Sequence, residues 1–178
     1  GVVVAGTYAY VVCYNAGLQV VDVSIPSKPG WVCGYDTSGF AYGVAVAGNY
    51  AYVAAGGLQV IDISNPASPV RVGGTFIGAS KSVAVAGNYA YVADDTAGLR
   101  VIDVSNPANP VQVGVYDTSG FAYGVAVAGN YAYVADNTAG LQVIDVSNPA
   151  NPVRVGGYDT SGAAVSVTVA DNYAYVAD

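Results

Sequence analysis

A five-residue phrase recurs along the chain and constrains its fold more than any other feature. It reads Thr7-Tyr8-Ala9-Tyr10-Val11 once, then Asn-Tyr-Ala-Tyr-Val beginning at Asn49, Asn88, Asn130 and Asn172. Its first tyrosines, Tyr8, Tyr50, Tyr89, Tyr131 and Tyr173, are 42, 39, 42 and 42 residues apart. Self-similarity at this spacing marks an array of supersecondary units, each stacking on its neighbour to bury a shared core.

Within the third repeat, Ser82-Val83-Ala84-Val85-Ala86 alternates and runs into the turn signal Gly87-Asn88. Tyr89–Ala93 alternates again and ends at Asp94-Asp95-Thr96-Ala97-Gly98. Leu99–Val104 forms a third segment, stopped by Ser105-Asn106-Pro107-Ala108-Asn109-Pro110. Val111–Tyr116 forms a fourth, closed by Asp117-Thr118-Ser119-Gly120. Short segments rich in β-branched and aromatic residues between turn clusters read as strands. No segment carries a 3.6-residue apolar period of helical length.

Four antiparallel strands per ~42 residues is the pattern of a propeller blade. Blades stack face to face, which explains strands with no polar face: Val83 and Val85 point one way, Ala84 and Ala86 the other. A β-solenoid is the alternative, but its coils are shorter and need no tight hairpin turns. The fold class expected is all-β, a propeller of four-stranded antiparallel blades with about 4.5 blades in this chain. Residues 1–178 form one propeller domain or propeller fragment. Its blades fall at approximately 1–38, 43–77, 82–119 and 124–161, with a half blade at 165–178.

The stretch Gly-Leu-Arg-Val-Ile-Asp-Val-Ser-Asn-Pro-Ala-Asn-Pro-Val (98–111) resembles the LVIVD repeat, named for its third strand. Related stretches stand at Gly17–Pro29, where Ile25 and Lys28 depart, and at Gly57–Val70 and Gly140–Val153. The resemblance covers essentially the whole chain. It implies a β-propeller of the kind found in bacterial and archaeal surface and secreted proteins, similar to YVTN surface-layer propellers. It specifies a fold and says almost nothing about activity.

Charge narrows the partners. The net charge is −7, and the five basic residues, Lys28, Arg71, Lys81, Arg100 and Arg154, stand singly. Nucleic-acid binding needs a clustered basic face, so this partner is not expected. No apolar run is long enough to span a bilayer as a helix, and membrane insertion is not expected either. The absence of Glu, His and Met fits an extracellular or cell-surface protein. Without Met, Gly1 is not a translation start; a removed leader, a longer N-terminal part or an excerpted chain is expected.

The two cysteines, Cys13 and Cys33, both lie in the first repeat. They read as two buried free thiols, as one disulfide, or as the half of a bridge between molecules. If a third strand separates theirs, their Cα atoms lie about 9–10 Å apart, beyond the ~7 Å reach of a bridge, which favours thiols.

Candidate chemistry is sparse. Without histidine there is no Ser–His or Cys–His pair and no imidazole-rich zinc site. No glycine-rich phosphate loop leads into a helix. The chain is therefore expected to be no enzyme. Asp36, Asp94, Asp95, Asp117, Asp136 and Asp159 gather in loops on one face. Capping of their own turns is the favoured reading and Ca2+ the other, with no further cofactor expected. Asp22, Asp62, Asp103 and Asp145 recur before the Ser-Asn-Pro turn, as structural carboxylates accepting hydrogen bonds from the turn.

The loop entering each blade's first strand varies. It reads Phe40-Ala41-Tyr42 and Phe121-Ala122-Tyr123, against Ala79-Ser80-Lys81 and Ala163-Ala164-Val165. In a propeller this loop reaches the mouth of the central channel, so Tyr42, Lys81 and Tyr123 are the candidate ligand-binding residues. Phe40 and Phe121 are expected to pack between blades, and the repeated tyrosines to fill the inter-blade core.

Two functions follow. The first is a non-enzymatic structural or adhesive surface protein that self-associates through its blade ends, in filaments or a coat. The second is a module that binds a protein or glycan at the channel mouth.

Overall fold

The computed structural model describes residues 1–178 and contains eighteen β-strands and no helix. Blade 1 comprises β1 (Val2–Ala5), β2 (Tyr8–Val12), β3 (Leu18–Asp22) and β4 (Gly30–Tyr35). Blade 2 comprises β5 (Gly43–Ala47), β6 (Tyr50–Ala54), β7 (Leu58–Asp62) and β8 (Val70–Thr75). Blade 3 comprises β9 (Ser82–Ala86), β10 (Tyr89–Ala93), β11 (Leu99–Asp103) and β12 (Val111–Tyr116). Blade 4 comprises β13 (Gly124–Ala128), β14 (Tyr131–Ala135), β15 (Leu141–Asp145) and β16 (Val153–Tyr158). A two-stranded sheet, β17 (Ser166–Ala170) and β18 (Tyr173–Ala177), follows. Within each sheet neighbouring strands are consecutive and antiparallel, so every blade is a simple meander.

The third strand ends one residue before the Val104 expected from the sequence. The Val104 N–H makes the last bond in register, to the Asn88 carbonyl, and the Asp103 carboxylate draws the chain into its turn by accepting the Ser105 N–H. Asp22, Asp62 and Asp145 accept the N–H of Ser24, Ser64 and Ser147 in the same way, each at 2.8 Å.

The core lies between blades rather than within one. Tyr91, Ala93, Leu99 and Val101 of blade 3 pack against Ala132, Val134, Ile144 and Val146 of blade 4. Blade 3's other face presents Val83, Ala90, Val92, Ile102 and Val104 to Tyr52, Ala54, Leu58 and Val60 of blade 2. Blades 1 and 2 meet by the same rule, Tyr10, Val12, Leu18 and Val20 against Ala51, Val53, Ile61 and Ile63. Alternation along one strand thus serves two cores: Val83 and Val85 face blade 2, and Ala84 and Ala86 face blade 4. Burying Leu58 or Leu99 fully stabilises the seam by about 2 kcal/mol each.

A bulge repeats between the third and fourth strands, at Val20/Val21, Val60/Ile61, Val101/Ile102 and Val143/Ile144. It re-aims the fourth strand. Just beyond it, Gly73 and Gly114 lie so close to the next blade's turn that a Cβ would collide with the Pro107 and Pro149 carbonyls. Blade 1 has Cys33 at this position, and its thiol donates to the Pro66 carbonyl at 3.1 Å. Cys33 and Cys13 are both free thiols. The expectation that both are buried is corrected: Cys33 is half-buried, while Cys13 is exposed, lying beyond the end of β2 in the loop that leads to β3.

The tyrosine pair divides its work. Tyr10, Tyr52 and Tyr91 are buried in the seams, and Tyr8, Tyr50 and Tyr89 are half-buried beside them. Tyr173 and Tyr175 of the two-stranded sheet are exposed.

Candidate binding site at the channel mouth

The first strands β1, β5, β9, β13 and β17 succeed one another around the inner side of the array. What lets them converge is the small residue at each start. A Cβ on Gly43 would stand 2.8 Å from Ser82 Cα, and one on Gly124 2.9 Å from Ser166 Cα. Side chains at these positions would force the inner strands apart.

The converging strand starts and the residues before them line an open cavity of about 540 Å³, with Tyr42, Lys81, Tyr123, Val165, Ser82 and Ser166 among its walls. Tyr42, Lys81 and Tyr123, the three residues singled out from the sequence, therefore share one space. The backbone before each strand is held by the neighbouring strand of its own blade. The N–H groups of Tyr42, Lys81, Tyr123 and Val165 donate to Ala54, Ala93, Ala135 and Ala177 at 2.8–3.0 Å.

Lys81 carries the one cationic side chain among the residues lining the mouth. Its Nζ stands 3.5 Å from the Asp95 carboxylate and 4.7 Å from the centre of the Tyr42 ring. Charge and quadrupole together hold an otherwise mobile side chain over the aromatic face. Tyr42 meets Tyr14 edge to face at 5.4 Å, and Tyr14 stacks on Phe40 at 4.2 Å. The neighbouring Tyr42 hydroxyl is the main cause raising the Tyr14 phenol above its ordinary pKa, against the opposing effect of Lys81.

Tyr14, Phe40 and Asp95 were not singled out for the mouth from sequence. Their signal was the variable residue after the second strand, Tyr14, Asp95 or Asn137, which bridges to Ala41, Ala122 or Ala164 of the entering loop. Phe40 and Phe121 do not pack between blades, contrary to expectation. They are 49% and 45% exposed, because the buried position of that loop belongs to the small Ala41 and Ala122.

The loop carboxylates serve three different uses. Asp36, Asp117 and Asp159 cap their own turns, accepting the N–H of Ser38, Ser119 and Ser161 at 2.8–3.0 Å. Asp95 faces Lys81. Asp94 and Asp136 are buried: Arg100 Nε donates to Asp94, and Thr118 Oγ1 to Asp136 at 2.6 Å. One oxygen of each has no partner. Desolvation by burial raises both above the usual carboxylate range, although Arg100 opposes it at Asp94 and Thr118 at Asp136. No three metal-ligating side chains gather at one point. Asp22, Asp62, Asp103 and Asp145 close the third strands, at the entry to the turns that lead to the fourth. They are held below the usual carboxylate range by the serine two residues on. Its hydroxyl acts first at Asp22, Asp103 and Asp145, and its backbone N–H first at Asp62.

This geometry has close structural counterparts. A functionally unknown protein from Desulfotomaculum acetoxidans DSM 771 superposes with a TM-score of 0.83 at 13% identity, over 99% of this chain and 61% of that one. The computationally designed Ika8 protein superposes with a TM-score of 0.76 at 9% identity, over 99% of this chain and 54% of that one. The chain thus spans less than two thirds of the length of both, and at these identities the likeness shows the fold alone. No curated protein matches the sequence. The LVIVD repeat matches at residues 1–37, 38–74, 77–118, 119–160 and 161–178. With a repeat match in all five segments and the blades that the structure draws from them, the chain belongs to the LVIVD-repeat family.

Proposed function

We propose that this repeat protein is a non-enzymatic binding module of the extracellular space or cell surface, and that it holds a protein or glycan partner at the channel mouth. The observation that carries this reading is the shared cavity of Tyr42, Lys81 and Tyr123, drawn from three different blades. Aromatic faces, one held cation and the Ser82 and Ser166 hydroxyls make a surface suited to recognition, with no nucleophile–base pair for turnover. The acidic, lightly charged composition supports an exported setting.

The test replaces the three together, Tyr42→Ala, Lys81→Ala and Tyr123→Ala. Wild type and variant are compared on immobilised glycans and purified envelope proteins, with thermal melting to check the fold. Capture by the wild type that disappears in a folded variant supports the module; equal capture by both removes it.

A second reading, self-association into a structural coat, is favoured by a separate observation. Tyr173 and Tyr175 are 67% and 57% exposed, whereas Tyr91 in the same repeat position as Tyr175 is 4% exposed. The face that bears them matches the one a following blade covers elsewhere in the array, so a further sheet, of this chain or of a second copy, fits it. Light scattering with electron microscopy distinguishes the readings: indefinite assemblies support the coat, and a concentration-independent discrete mass rules it out.

A further inference from the structure

Blade 2 is the repeat that is three residues short, and the structure shows where they are missing. Its loop between second and third strands is Ala55-Gly56-Gly57, where blade 3 has Asp94-Asp95-Thr96-Ala97-Gly98. Its exit loop is one residue shorter as well. The trimmed loops leave a cleft of about 340 Å³ away from the channel mouth. Tyr35, Ser38, Gln59, Arg71 and Phe76 are among its walls.

The substitutions that accompany the trimming all change the cleft in one direction. Ala55 stands where blades 3 and 4 bury Asp94 and Asp136. Phe76 stands where the other blades carry Asp36, Asp117 and Asp159, and it is 87% exposed. Two carboxylates are thus exchanged for apolar groups around Arg71. Arg71 itself has no carboxylate partner, since the protein's ion pairs are Lys81–Asp95 and Arg100–Asp94. Its Nε donates to the Gly73 carbonyl at 3.2 Å, which fixes the stem and leaves the terminal nitrogens of the guanidinium as donors. Gln59 reaches back to the Thr37 carbonyl at 2.6 Å and so holds the cleft wall in place. Asp36, the acidic residue next to this wall, is engaged by the Ser38 N–H.

We propose that this cleft is a second binding site, for a small carboxylate bearing an aromatic or aliphatic group. The carboxylate takes the paired N–H donors of Arg71, and the apolar part lies against Phe76 and Tyr35. The terminal nitrogens of Arg71 are left as donors beside the apolar Phe76 and Tyr35, and the planar fork matches a carboxylate's two oxygens. The size of the cleft admits one small organic acid rather than a folded partner.

The test titrates phenylacetate into the isotope-labelled protein and follows backbone amide shifts. Saturable shifts confined to Tyr35–Gly39, Ala55–Gln59 and Arg71–Phe76 are expected. Arg71→Gln weakens binding by roughly tenfold or more, as the loss of a charge-assisted pair requires. This variant copies Gln112 of blade 3, and Phe76→Asp copies Asp117, so both replacements are already accommodated elsewhere in the fold. Phe76→Asp abolishes binding by returning a negative charge. Arg154→Gln, at the same repeat position in blade 4, leaves it unchanged. Absence of saturable shifts, shifts centred on Lys81 and the mouth, or equal affinity of the Arg71→Gln variant would each overturn the proposal.

Discussion

Blade 3 joins its second and third strands through five residues, and blade 2 manages with three. In blade 3 the longer loop lets Asp95 and Ala122 exchange two backbone hydrogen bonds, at 3.2 and 2.9 Å, which tie the loop to the one entering blade 4. Blades 1 and 4 make the same pair through Tyr14–Ala41 and Asn137–Ala164. Blade 2 has no residue in place to do so. There the buried Ser80 hydroxyl accepts the Gly57 N–H at 3.0 Å and donates to the Gly57 carbonyl at 2.8 Å. One side chain has replaced a backbone bridge. The loss also spreads sideways. With Ala55 in place of a carboxylate, Thr37 turns to the Gly39 carbonyl instead of the bond Thr118 makes to Asp136. With Ile77 in place of a threonine, Asp94 takes Arg100 as its partner. Sheets and seams thus repeat one plan from blade to blade, while the rim renegotiates its hydrogen bonds.

Leu58→Ala in blade 2 and Leu99→Ala in blade 3 therefore destabilise alike, by about 3–5 kcal/mol, because both leave a cavity in equivalent seams. Denaturant unfolding of the two variants measures it, and a clear inequality would break the claim that the seams are equivalent. At the rim the blades part company. Ser80→Ala strands the buried Gly57 N–H, while the Gly57 carbonyl keeps the Ala55 N–H, and costs about 1–3 kcal/mol. Ala122→Ser, the reverse exchange in blade 3, finds both backbone groups already paired and brings no compensating gain.

The smallest effect is one of pH. Asp94 and Asp136 have pKa values raised by burial, so the fold binds protons that the unfolded chain releases. Their contribution to stability is greatest at low pH and falls as pH rises from the ordinary value of 3.8 through the raised one. Asp62 and Asp103 have lowered values, and the sign is opposite: their contribution is present above 3.8 and is lost as pH falls through the folded value. Replacing Asp94 and Asp136 by Asn should therefore flatten the decline above 3.8 and leave the acid limb intact. Melting temperatures from pH 3 to 8 follow both limbs. Blade 2, with Ala55, makes no contribution of the first kind.

Much of this architecture is legible in the sequence because the strands announce themselves twice, by alternation and by the turns that stop them. The stretch from Ser82 to Tyr116 yields its four strands to within one residue. The placing of Tyr42, Lys81 and Tyr123 around one cavity follows from their shared offset to the first strand. The rim is harder to read, because its contacts join loops of different blades. The 39-residue step declares that blade 2 is short, yet nothing local says that Ser80 replaces a backbone pair or that a cleft opens beside Arg71. Phe40 and Phe121 misled for a related reason: a large apolar residue suggests burial, but the small alanine beside it takes the buried position.

The seams described above always join unlike faces, the tyrosine–leucine side of one blade to the alanine–isoleucine side of the next. The joint therefore works as plug and socket, and it has a direction. Two blades cannot meet plug to plug without facing tyrosine against tyrosine. Successive blades follow one another in the same sense, so a blade added in that sense presents the same kind of face to its neighbour. Such an array can lengthen while its loops diverge, and that is how one rim can come to hold two different pockets.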